Sequence, residues 1–272
     1  MSDEQTTERP SGGADFFIGY SSRRSPAQRR FLRSAASVSV TAAAILALAL
    51  AAAQPSSDPG VFEYGRVRTL EATVLEASGA LVLGGLQPVD GERLPAMPGP
   101  SLVSRPGKHG AEQLLDPFAG RRVVLSGTLV HSPAGSMVEI SGPPQARRPQ
   151  EAALASSASA EPRPEPDGTG TQVVELIGEI VDSKCLLGVM KPGRGARHRA
   201  CAVRCISGGV PAALLTREEH GGRLYVLRGE AGEPLSSELL DRVGVPVRVR
   251  GRVTREGDLW LLRTAAASID AL

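Results

Sequence analysis

Apolar and polar positions divide the chain into three kinds of stretch. The first, Ser34–Ala53, is a run of 20 residues without a charge, rich in Ala and Leu. As a helix, that length spans a bilayer core of about 30 Å. The second kind consists of short β-like runs rich in Val and Leu, which predict strands, half-buried where apolar and polar positions alternate. It covers Leu70–Glu76, Ala80–Leu83, Arg122–Val130 and, after a turn at Ser132–Gly135, Met137–Ile140; strands return over residues 172–272. The clearest alternation is late in the chain, where Val247, Val249, Gly251 and Val253 interleave with Arg248, Arg250 and Arg252. The third kind has no period. Residues 54–61 form a Pro/Ser linker, and Gln87–His109 is rich in Pro and Gly and reads as a loop. Residues 143–171, a low-complexity run of Pro, Ala, Ser and Glu, cannot bury a core and read as an extended, disordered linker.

The two strand regions align with each other. Leu70–Glu76 lies on Leu176–Asp182, and Gly120–Gly127 lies on Gly244–Gly251, each pair followed by a turn and a last strand. The reading is a mostly β protein built as a tandem repeat of small antiparallel barrels. A mid-strand glycine and a helix between strands resemble an OB-fold. The expected organisation is a basic cytoplasmic tail (1–33), a transmembrane helix (34–53), a first OB-like domain (62–142), the linker (143–171) and a second OB-like domain (172–272).

Charge adds an orientation. Arg23, Arg24, Arg29, Arg30 and Arg33 precede the apolar run, and the segment after it, Gln54–Glu63, carries only acids. The positive-inside rule then places the N-terminus in the cytoplasm and everything after Gln54 outside. The rival reading is a cleaved leader, for which Ala51–Ala53 offers a small-residue site. Arg29–Leu32 resembles a twin-arginine leader with the phenylalanine one residue too close. Against a leader stand the long preceding segment and its apolar stretch Phe16–Tyr20, which reads as a docking patch, an interfacial anchor or a simple hydrophobic bump. Either way the C-terminal bulk is exported, and a bacterial inner-membrane protein with extracytoplasmic domains is expected.

Composition narrows the chemistry. A net charge of +2 over 272 residues selects no polyanionic partner. At 3% aromatics, the chain has few platforms for stacking bases, which together with the compartment argues against nucleic acid. The chemically dense segment is Asp182–Gly209, which holds all three cysteines, Cys185, Cys201 and Cys205, and one of four histidines, His198. The first strand region has no cysteine, so this segment elaborates the second copy alone. His198–Ile206 reads as a short helix stopped by Gly208 and Gly209. His198, Cys201 and Cys205 fall at i, i+3 and i+7, on one face, with Cys185 opposed from the end of a strand.

Three readings of these residues stand open. A Cys3His set of soft donors suits Zn(II) or Cu(I). A structural disulfide, with Cys185 joined to Cys201 or Cys205 and one thiol to spare, suits an oxidising compartment. A reactive thiol at Cys201 or Cys205 suits the cations Lys184, Lys191, Arg194, Arg197, Arg199 and Arg204, which lower thiol pKa values if they lie close. Asp182 and Ser183 are candidates to orient a ligand or to cap the turn. His109, His131 and His220 are isolated, and Trp260 reads as a barrel residue. No nucleophile elbow, P-loop, dinucleotide fingerprint, haem-attachment or His-Glu-x-x-His motif is present, so no catalytic residue is named.

The set Gly178–Cys185, Gly193-x-Gly195, His198, Cys201-Ala202, Cys205-Ile206 and Gly208-Gly209-x-Pro211 resembles a pattern found in bacterial envelope proteins of unassigned function. Some of those are single-pass membrane proteins and others are small secreted β-barrels. The resemblance implies that the four Cys/His positions act as a unit, and it implies no catalytic activity. The expected role is an accessory or binding partner of an envelope complex, tethered to the bilayer through residues 34–53. The alternatives are thiol redox or metal delivery through Cys201 and Cys205, or a purely structural module.

Overall fold

A computed structural model describes residues 25–53, 60–97, 99–147, 172–217 and 222–272. Phe16–Tyr20, Arg23, Arg24, most of the 54–61 and 143–171 linkers, and His220 lie outside the described residues. The chain divides into two compact units, Met1–Ser57 and Asp58–Leu272.

The first unit contains helix α1 (Pro26–Ala52), 27 residues long with a mean hydropathy of 2.1 in its apolar window, long and apolar enough to cross a membrane. It starts earlier than the uncharged run. Ser25 and Gln28 form a reciprocal capping box, with Gln28 N–H donating to Ser25 Oγ (3.2 Å) and Ser25 N–H to Gln28 Oε1 (3.1 Å). Pro26 stands where its missing N–H costs nothing. Arg29, Arg30 and Arg33 therefore sit on the first turns of the helix.

The second unit is almost all strand. In chain order it comprises β1 (Val61–Phe62), β2 (Arg68–Ala77), β3 (Ala80–Pro88), β4 (Leu102–Arg105), β5 (His109–Gly110), helix α2 (Glu112–Leu115), β6 (Arg122–Ser132), β7 (Gly135–Ile140) and β8 (Gln145–Ala146). There follow β9 (Gln172–Asp182), a π turn (Cys185–Val189), helix α3 (Arg199–Ser207), β10 (Ala212–Thr216), β11 (Leu224–Arg228), β12 (Pro246–Glu256), β13 (Leu259–Arg263) and β14 (Ile269–Ala271).

The later strands pair in the order β10-β9-β12-β13-β11, and β10 pairs with β11, so five strands close into a barrel with β11 and β13 parallel. The earlier strands follow the same order, β3-β2-β6-β7-β4, with β4 and β7 parallel and a single bridge, Leu83 to Ser101, where the second sheet closes fully. The sequence alignment carries through to register. Leu70 pairs with Leu125, and the residues laid on them, Leu176 and Val249, pair with each other. The alternation read in β12 also holds: Val247 and Val249 are buried, while Arg248, Arg250 and Arg252 are exposed.

One expectation is overturned. The stretch Gln87–His109, read as loop, contains β4, the third strand of the first barrel. Only four residues long and followed by Pro106, it is too short to show a period, yet Leu102 and Val103 are buried.

Each barrel has its own apolar core: Leu70, Leu125, Leu129 and Ile140 in the first, Ile180, Leu214, Leu227 and Leu262 in the second. A third cluster joins them. Val82, Val130 and Met137 from the first barrel meet Val181, Val226 and Leu261 from the second, with Leu187 of the π turn among them. Burial of each such side chain contributes about 1.5–3 kcal/mol, so the barrels adhere through a continuous apolar junction. They differ where the first strand turns into the second. In the first barrel the turn is Ser78-Gly79, both with positive φ, a two-residue hairpin. In the second, residues 183–211 occupy that place.

Candidate metal-binding site

The long connection between β9 and β10 is organised by one carboxylate. Asp182, at the end of β9, is fully buried. Its Oδ1 accepts a hydrogen bond from Cys185 N–H (2.8 Å), and its Oδ2 lies 2.9 Å from His198 Nε2. Asp182 thus caps the turn that carries Cys185 and also grips the residue that opens α3, for which His198 is the N-cap. Ser183 works beside it: its N–H and hydroxyl both donate to Pro211 O (3.1 and 2.8 Å), pinning the start of β10 against the end of β9. Helix α3 ends at Gly208, and Val210 N–H returns to Cys205 O (3.0 Å).

This frame brings the three sulfurs together. Cys185, Cys201 and Cys205 are free thiols, and their Sγ atoms all lie within 4.8 Å of one another. Three sulfurs on one zinc ion, each at about 2.3 Å, stand about 3.8 Å apart, so the cluster needs only a small contraction to close on an ion. Cys185 and Cys205 are buried, and Cys201 is half-exposed. His198 falls in a second, overlapping group, Asp182/Cys185/His198, also within 4.8 Å. The single four-member face expected from helical spacing is therefore two triads sharing Cys185, because the ring of His198 turns to the carboxylate.

The electrostatics of the pair at the centre are asymmetric. The Cys185 thiol is pushed far up, first by donating to Cys205 and then by burial and the adjacent Asp182 charge. Cys205 is held below the ordinary thiol range, chiefly by accepting that hydrogen bond. Cys205 is the first of the two to ionise, because the Cys185 thiol donates to it, with the Lys108 charge as a smaller aid.

That lysine comes from the other barrel. Lys108 Nζ lies 2.7 Å from Cys201 Sγ and 3.8 Å from Cys205 Sγ, and its own pKa is raised by the contact with Cys201. Three thiolates and a divalent ion carry a net charge of −1, which the ammonium offsets. The loop around Lys108 is fixed against α3 by backbone. Gly110 N–H donates to Gly208 O (2.8 Å), and a β-carbon on Gly208 would collide with the Lys108 carbonyl, one on Gly110 with that of Gly209. Lys184, expected among the cations near the thiols, points into this junction instead. Its Nζ donates to Arg105 O and Gly107 O, both at 2.9 Å, and pairs with Glu139.

The remaining cations do not approach the sulfurs. Arg199 donates to Asp241 O (2.9 Å), and Lys191, Arg194, Arg197 and Arg204 make no bond to a cysteine. His109 and His131 lie on β5 and β6 and belong to neither triad. Trp260 is on β13, edge-on to Tyr225 (5.9 Å between centroids) with the Arg223 guanidinium 4.2 Å over its ring. Lys108 was missed in the sequence reading because it precedes Cys201 by 93 residues in a short Pro-Gly-Lys-His-Gly turn, beyond the reach of any local period. Comparisons of the chain with protein-family models, with curated proteins and with solved structures give no match.

Proposed function

We propose that this is a single-pass extracytoplasmic accessory protein of a bacterial envelope complex. Two OB-like barrels present a soft-metal site formed by Cys185, Cys201 and Cys205. The observation that carries the metal reading is the convergence of three free sulfurs inside one 4.8 Å group. Thiolates select Zn(II) or Cu(I) over harder ions. For a trigonal Cu(I) site three sulfurs suffice. For a tetrahedral Zn(II) site His198, which shares a triad with Cys185, is the fourth donor: Asp182 holds Nε2, leaving Nδ1 as the nitrogen able to ligate, the carboxylate–histidine arrangement that orients a metal-bound ring.

The half-exposed Cys201 supports a site that exchanges its ion rather than one sealed for structure alone. The helix α1 supports tethering, and the acid-only segment after the apolar run supports an exported C-terminal unit. Strand order, the parallel pairing of third and fifth strands and the matching register support two OB-like domains. The likeness of Gly178–Pro211 to the envelope-protein pattern agrees with this assignment. Tethering raises the effective concentration of the site beside a membrane partner.

X-ray absorption at the metal edge of the purified full-length protein tests the reading. The expected spectrum has three sulfur neighbours at about 2.3 Å; a shell of oxygen and nitrogen alone would overturn it. A second reading, a reactive thiol for redox exchange, rests on the Lys108 ammonium 2.7 Å from the half-exposed Cys201. It predicts reversible modification at Cys201 in a protein that retains no metal.

A further inference from the structure

The second barrel carries an arginine row that the cysteine site does not use. Arg228 on β11 pairs in register with Arg263 on β13, and Arg263 pairs with Arg252 on β12. Their chain neighbours Leu227, Leu262 and Val253 face the barrel core, so the three arginines share the opposite, outer face. Like charges directly across strands repel, and such a row persists only with compensation.

The compensation in place is partial. Arg228, 1% exposed, pairs with Glu112 of the first barrel, yet its Nε has no hydrogen-bond partner. Arg263 Nε is buried and also without a partner. Arg263 and Arg252 make no ion pair among the described residues, while Glu175 is engaged by Arg248 (3.4 Å) and Arg250 (3.9 Å). Arg250, Arg252 and Arg263 line a cavity of about 170 Å3 with Gly251 and Ser268. Gly251 lets the β12 backbone pass close to β13, where a β-carbon would strike the Arg263 carbonyl. Glu230 is the one carboxylate in the lining, and it is exposed to solvent that screens it.

We propose that this cavity binds a phosphate-type oxyanion between the guanidinium groups of Arg252 and Arg263, with the Ser268 hydroxyl as a further donor. Guanidinium forks match the oxygens of phosphate in a way a lone ammonium does not. The volume admits inorganic phosphate or a phosphorylated headgroup. Free phosphate and the headgroup of an anionic lipid share this chemistry.

The test is arginine footprinting of the full-length protein in zwitterionic detergent micelles. Phenylglyoxal modification is read by mass spectrometry while inorganic phosphate is added at constant ionic strength. Saturable protection of Arg252 and Arg263 is expected, with the Arg263 midpoint raised at least tenfold in Arg252→Gln and only partly restored in Arg252→Lys, which returns the charge without the fork. Arg252 is exposed, so both variants fold. Micelles doped with phosphatidylglycerol separate the sources: protection there at concentrations where phosphate has no effect assigns a lipid, and protection by phosphate alone assigns a solute. Absence of saturable protection in both arms, or an unchanged midpoint in Arg252→Gln, overturns the site.

Discussion

Asp182 divides its two oxygens between Cys185 N–H and the His198 ring, and it does so fully buried. Replacing it with Ala leaves buried donors without acceptors, at a cost of about 1–3 kcal/mol each. Asp182→Ala is therefore expected to lower the denaturant midpoint clearly and Asp182→Asn, which keeps one acceptor, to lower it less. Equal midpoints for wild type and Asp182→Ala would contradict this role. The thiols differ in the same local way. In chelator-treated native protein, alkylation is expected at the half-exposed Cys201 first, with the buried Cys185 and Cys205 following more slowly, as time-resolved peptide mapping would show. The pH dependence follows from Cys205. An unfolded cysteine ionises near pH 8.5. The folded value lies below it, so this contribution is fully present above that pH and lost as pH falls through the folded value. Cys185 shifts the other way, and its contribution is lost as pH rises. In chelator, the gap in Tm between wild type and Cys205→Ser should be wider at pH 9 than at pH 5. Helical spacing made the Cys201/Cys205 face legible in advance. The turning of His198 away from that face was not, because it depends on a carboxylate 16 residues earlier at the end of a strand.

At the scale of elements, the β9–β10 connection both carries the cysteines and fastens the barrels together. Its π turn places Leu187 in the shared apolar cluster, and its helix end meets the 105–110 loop at backbone distance. Gly208→Ala forces an added methyl into the Lys108 carbonyl. Overpacking of this kind costs about 1–3 kcal/mol. Lys108→Ala, by contrast, removes a side chain contact and leaves the backbone approach intact. Denaturant unfolding should rank Gly208→Ala as the more destabilising of the two; the reverse order would mean that the lysine, not the close approach, holds the junction. The alternation of β12 and the glycine stop of α3 could be read from sequence because their causes are local. The short strand β4 could not, since four residues carry too little of a period and their burial comes from β7.

For the whole molecule, the internal alignment related the two strand regions, and the observed registers agree with it, since a strand with one buried face admits few registers. The junction between them escaped, because it joins residues about a hundred positions apart whose only shared signal is being apolar. Full-length chain should partition with membranes after alkaline washing, held by α1; a soluble product beginning after Ala53 would instead indicate a leader. The account turns on what the three sulfurs hold. Its most direct test is a thiol count on the purified full-length protein under non-reducing, native conditions, with metal analysis of the same sample, before and after chelation. One equivalent of zinc or copper is expected, with the three thiols protected until the chelator removes the ion and all three titrating afterwards. A metal-free protein with a single titratable thiol, the signature of one disulfide, would contradict it.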